Sequence, residues 1–144
     1  GHYYLVGNHE NYDDMSTLRV DRIAHITVLS ERRKPLREIK GYQQQRTFNV
    51  SQYVKEHIYM FGGESITVSF KAKRSIVNQI LDWFDGNVEF TNITPDDVVC
   101  RVRVNHHAFK YWALQYMQSV KVLSPASLVT EVKEAIKEGL QQYS

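Results

Sequence analysis

The stretch "ESITVSFKAKRSIVNQILDWFDG", Glu64 to Gly86, changes its repeat part-way along. In ESITVSF the apolar residues Ile66, Val68 and Phe70 alternate with Thr67 and Ser69, the period of a strand with one buried face. In SIVNQILDWF the repeat lengthens, so that Ile76, Val77, Ile80, Leu81 and Phe84 share one helical face, with Ser75 placed as the cap. The DG pair, Asp85 and Gly86, stops that helix. A strand that runs straight into an amphipathic helix is the first half of a strand-helix-strand unit.

Toward the C-terminus the unit completes itself. NVEFTNI and DVVCRVRV read as strands joined by the turn TPDD, with Pro95 at its first central position. HAFKYWALQYM sets Phe109, Trp112, Ala113 and Tyr116 on one helical face, a stripe suited to a core or an interface. SVKVL is a short strand, and a last helix opens with Ser124 as cap and Pro125 in its first turn, then runs through Leu128, Val132, Ile136 and Leu140. The order β-α-β-β-α-β plus a helix predicts a ferredoxin-like domain, an antiparallel sheet carrying its helices on one face.

Toward the N-terminus the elements are shorter. YYLVG and STLRV suit strands, and NHENYDD between them is rich in turn formers. IAHITVLS reads as a further strand. Taken as one strand, Leu18 to Val28 would set Arg22 among Leu18, Val20, Ala24, Ile26 and Val28 on a buried face. A bend at Asp21 and Arg22 removes the conflict, because register does not carry through a turn; the other reading is a buried cation awaiting an anion. After Pro35 the periodicity weakens, and a linker with a short helical turn around Val50 to His57 leads to Gly62 and Gly63. Two units follow from this, residues 1–61 and 62–144.

Composition narrows the function classes. The chain has 144 residues, 42% of them hydrophobic, and a formal net charge of +2, which does not by itself advertise nucleic-acid binding. The charge is uneven: Arg19, Arg22, Arg32, Arg33, Lys34, Arg37, Lys40 and Arg46 face only Asp21, Glu31 and Glu38 in the same stretch, whereas bases and acids balance from Phe61 onward. The basic stretch is either a solvated face, as RRK at Arg32 to Lys34 suggests, or a field that draws an anion. The single cysteine, Cys100, alternates with Val98, Val102 and Val104 and reads as a small core residue. No apolar run approaches the roughly 18 residues of a membrane span and no signal peptide is visible, so a cytoplasmic location is expected. The abrupt start on HYYLV leads us to expect a fragment of a longer chain.

Catalytic motifs are missing. No Gly-rich phosphate loop, nucleophile elbow, HExxH or C-x-x-C occurs, and Asp13, Asp14, Asp96 and Asp97 fall in predicted turns, where Asp is common for conformational reasons. The adjacent His106 and His107 diverge in direction and lack partners at ligand spacing, so they are expected to cap or to face solvent. Neither enzyme activity, metal nor cofactor is expected.

HYYLVG, LRVDRI with its arginine pair, the FGG junction and VKVLSPASLVTEVKEAIKEGL together resemble the bacterial WYL-domain transcriptional regulators with their C-terminal WCX extension. Tyr3 stands where the family's namesake run has Trp, ahead of Tyr4 and Leu5. The resemblance implies an α+β chain in which a partial Sm-like (SH3-like) β-barrel precedes the ferredoxin-like domain. It also implies a homodimeric, ligand-sensing module whose DNA-reading helix-turn-helix lies upstream and outside this chain. By that likeness Arg19 and Arg22 are the anion ligands, with Tyr3 and Tyr4 near them, and the effector is a nucleotide or single-stranded nucleic acid. The chemistry agrees, since guanidinium forks suit phosphate and a ring can stack on a base. His25 shares strand parity with Arg19 and either lines the site or faces solvent; of Tyr3 and Tyr4, one is expected in the core and the other free. Two other readings remain: a purely structural dimerisation module, in which the arginines form salt bridges and Arg22 pins its turn against Asp21 or another carboxylate, and a module that binds nucleic acid directly.

Overall fold

The computed structural model describes residues 2–84 and 86–144. It is an α+β chain with a two-stranded and a four-stranded sheet. Strands β1 (Tyr4–Asn8) and β2 (Met15–Arg19) form an antiparallel hairpin, and helix α1 (Val50–Glu56) follows after a long irregular segment. The rest is β3 (Ser65–Lys73), α2 (Val77–Phe84), β4 (Val88–Ile93), β5 (Asp97–Asn105), α3 (His106–Gln115), β6 (Val120–Ser124) and α4 (Ala126–Gln141). These strands lie in the order β4-β5-β3-β6 with every neighbouring pair antiparallel, the expected ferredoxin-like topology.

Alternation builds the main core. Val68, Phe70 and Ala72 of β3 and Val98, Cys100, Val102 and Val104 of β5 are buried, while Thr67, Lys71, Arg101 and Arg103 point the other way and are exposed. Onto the buried face α2 sets Ile80 and Phe84, α3 sets Phe109 and Trp112, and α4 adds Leu128 and Val132. Trp112 is the hub, with ring centroids of Phe84 at 4.8 Å, Tyr116 at 5.1 Å and Phe70 at 5.4 Å. The aromatic stripe on α3 is therefore core.

A second, smaller cluster sits beside the first. Met15, Ile39 and Tyr53 are buried together, with Val6, Leu36, Tyr42, Phe48 and Met60 packed on them. The segment expected to be a linker thus folds onto the hairpin, through side chains too scattered to leave a period. Asn49 caps α1, its side-chain oxygen accepting from the Gln52 N–H at 3.0 Å.

The junction joins the two clusters through backbone. The Gly63 N–H donates to the Met15 carbonyl at 3.3 Å, and a Cβ on Gly62 would stand 3.0 Å from that same oxygen, so the close approach needs glycine. From the other side Asn105 reaches in: its Nδ2 donates to the Gly62 carbonyl at 3.1 Å, and its Oδ1 accepts from the Ala108 N–H at 3.0 Å, capping α3. Fully buried Asn105 therefore serves the junction and a helix start at once.

Some expectations need correction. IAHITVLS is not a paired strand; Ala24 to Ser30 make no backbone hydrogen bond among the described residues, and Ile26 and Val28 are 79% and 96% exposed. The 3-10 turn at Val20–Arg22 carries the chain off β2, leaving the segment no neighbour, and a strand does not persist without one. Ser75 lies inside a 3-10 turn, Arg74–Ile76, rather than capping α2, and Leu81 is exposed. Ser124 ends β6, so Pro125 is the residue before α4 and no side chain caps that helix. Ile136 and Leu140 are exposed, because only the first half of α4 lies over the sheet. Asp85, the first half of the predicted DG stop, lies outside the described residues; Gly86 has the left-handed φ of 66° that such a stop requires. Among the described residues no helix is long and apolar enough to cross a membrane.

Candidate ligand-binding site

The hairpin register gathers most of the expected site. Tyr4 pairs with Arg19 directly across the ladder, and the Val20 N–H donates to the Tyr3 carbonyl at 3.0 Å. Tyr3, Tyr4 and Arg19 thus share the open end of the hairpin, and the 3-10 turn Val20–Arg22 grows from it. The bend expected at Asp21 and Arg22 is this turn.

The side chains differ in how free they are. Tyr4 is half-buried and Tyr3 is 85% exposed; alternation separates the two rings, but Tyr4 joins neither buried cluster, so the tyrosine expected in the core is only partly covered. Arg19 is occupied: Nε donates to Asp21 Oδ1 at 3.0 Å and Nη2 to Asp21 Oδ2 at 2.6 Å, a two-pronged clasp, and Nη2 also lies 3.1 Å from His2 Nδ1. That clasp holds the Asp21 carboxyl below its ordinary range and raises the arginine above its own. Arg22 is exposed and has no hydrogen bond or ion pair among the described residues. Asp21 therefore pins the turn through Arg19, not Arg22. His25 sits on the unpaired segment beyond the turn, exposed and without a hydrogen bond to the other four.

Two further facts define what the site can do. Among the described residues, four well-formed hollows of about 160 to 520 Å³ are lined by residues other than Tyr3, Tyr4, Arg19, Arg22 and His25. The hairpin end is thus an open ledge with one uncommitted guanidinium, one clasped guanidinium and one free ring. Such a ledge can hold an oxyanion on Arg22 and stack a planar group on Tyr3. Sequence reasoning missed Asp21 as the partner of Arg19, although a two-residue spacing across a bend was the available signal.

The later histidines hold no metal arrangement: His106 Nε2 lies 2.9 Å from Glu131 Oε1, and no group of three potential ligands occurs among the described residues.

Comparison with known proteins bears on the other half of the molecule. The family model for the WCX domain matches residues 62–140, from the glycine junction through the whole βαββαβ sheet to the end of the α4 apolar repeat. The chain belongs to the WCX domain family. WCX domains are found with WYL-family regulators, which makes this a regulator-associated module. The residues of the hairpin ledge precede the matched stretch, so the WCX match does not speak to them. No curated protein matches the chain.

Proposed function

We propose that the chain is the effector-sensing and dimerising part of a bacterial, cytoplasmic WYL-family transcription regulator, acting by binding and not by catalysis. The effector is an anionic nucleotide or single-stranded nucleic acid taken at the hairpin ledge, and its binding is passed to a DNA-reading helix-turn-helix upstream. The observation that carries this reading is the backbone bond from Val20 to Tyr3, which sets an exposed ring beside the turn that displays Arg22, unpaired among the described residues. Phosphate would take the fork of Arg22, and Arg19 would join by exchanging Asp21 for the ligand.

Titration of a fluorescent single-stranded oligonucleotide at two salt concentrations tests it. Saturable binding that weakens with salt, falls in Arg22→Lys and vanishes in Arg22→Ala is expected. Binding that is absent, or untouched by Arg22→Ala, overturns it.

A purely structural dimerising role is the second reading, favoured by the exposed apolar segment around Ile26 and Val28, whose backbone groups are free to pair with another strand. Sedimentation of the chain with and without a charge at Val28 separates the two: loss of the dimer with oligonucleotide binding retained assigns dimerisation to that segment and sensing to the ledge.

A further inference from the structure

The hollow between the hairpin half and the sheet is built unlike the ledge. It has a volume of about 160 Å³ and draws its wall from distant parts of the chain: Asp14 before β2, Tyr42 of the irregular segment, Glu56 at the end of α1, Ser65 at the start of β3 and Arg103 of β5. At roughly 10–15 Å³ of such space per water-sized group, it takes a solute of about 11 to 16 non-hydrogen atoms.

Several groups in this wall are uncommitted. Glu56 Oε1 accepts from Gln52 Nε2 at 2.6 Å and holds Arg103 Nε at 3.4 Å, which leaves the two Nη groups of Arg103 without a hydrogen bond among the described residues. The Asp14 carboxylate has no ion pair there, and the Tyr42 hydroxyl has no hydrogen bond. The Ser65 hydroxyl is buried without a partner among the described residues, a costly state unless something fills the space beside it. Burial pushes the Tyr42 phenol well above its ordinary range, keeping it a donor.

Charge then selects the guest. The wall carries Asp14, Glu56 and Glu64 against Lys40 and Arg103, with Lys40 Nζ 4.0 Å from Glu64 Oε2. A plain anion meets an excess of carboxylates, and a plain cation leaves the Arg103 fork unused. The geometry points to a small zwitterion, an L-α-amino acid, with its carboxylate on the Nη groups of Arg103, its ammonium on Asp14 and its side chain between Tyr42 and Ser65. Because the wall joins both halves of the chain, the bound amino acid bridges them.

Calorimetric titration of the whole chain with the proteinogenic L-amino acids, with glutarate as carboxylate-only probe and putrescine as ammonium-only probe, tests this. Saturable binding of at least one amino acid is expected, weakened about tenfold or more by Arg103→Gln and by Asp14→Asn, less by Arg103→Lys, and unchanged by Arg22→Ala. Thermal unfolding of each variant confirms that it is folded. Binding of no amino acid, binding of glutarate or putrescine in their place, or indifference to both Arg103→Gln and Asp14→Asn in folded protein overturns the assignment. Since Arg22 takes no part, its outcome is independent of the ledge.

Discussion

Arg19 is clasped by Asp21 at 2.6 and 3.0 Å, two residues away across the turn, while Arg22 one residue further on has no ion pair among the described residues. Asp21 is thus an internal competitor for any anion that approaches the hairpin ledge. Asp21→Asn should release the Arg19 fork and tighten oligonucleotide binding by about threefold to tenfold, with a salt dependence steeper by about one released counterion. Anisotropy titrations at several salt concentrations measure both. An unchanged affinity would mean that Arg19 takes no part in binding.

Trp112 is fully buried among Phe70, Phe84 and Phe109, and its indole N–H has no partner among the described residues. Trp112→Ala should cost about 3–5 kcal/mol by opening a cavity at the point where α2, α3 and the sheet meet. Urea unfolding followed by circular dichroism reads this directly. A loss below about 1 kcal/mol would be incompatible with a hub role.

Cys100 lies on the buried face of β5, and desolvation pushes its thiol up to about 11. At about pH 8 the reactive thiolate is then on the order of one molecule in a thousand. Iodoacetamide should label the protein in denaturant and leave the native chain nearly unmodified. Rapid labelling in native buffer would show that β5 opens readily.

Glu131 on α4 receives His106 Nε2 at 2.9 Å and Lys110 Nζ at 3.6 Å, which joins α4 to α3. The His106 hydrogen bond, with the nearby positive charge, lowers the Glu131 carboxyl. A carboxylate with a lowered folded-state value contributes fully above its ordinary value near 4.5 and loses that contribution as pH falls through the lower one. Glu131→Gln should therefore destabilise by under about 1 kcal/mol at neutral pH and flatten the acid limb of stability against pH. Melting temperatures across the acid range check it, and an identical slope in the variant would discount the contact.

The sheet was legible because a strand buried on one face repeats every second residue, as Val68 and Phe70 or Cys100 and Val102 do. The same signal misled at Ile26 and Val28, since periodicity reports what a segment could bury and is blind to whether a neighbour exists. Leu81, Ile136 and Leu140 carry the same lesson on helices that outrun the surface they cover. The Met15, Ile39 and Tyr53 cluster was invisible because its members come one each from a short strand, an irregular segment and a short helix, so no single stretch carries a repeat. On the ledge, alternation separated Tyr3 from Tyr4 but took neither ring into the core, and the grip of Asp21 on Arg19 depends on side-chain direction at a turn. Asp14, Tyr42 and Arg103 meet only in three dimensions, so no local spacing announces their hollow.

The Asn105 amide gives the molecule a mechanical property. Met15, Gly63, Gly62, Asn105 and Ala108 form one unbroken relay of covalent and hydrogen-bonded links. A pull on the hairpin is delivered to the first turn of α3 instead of dissipating in a slack tether. The glycine pair is the covalent step of that relay, between the bond to Met15 and the bond to Asn105.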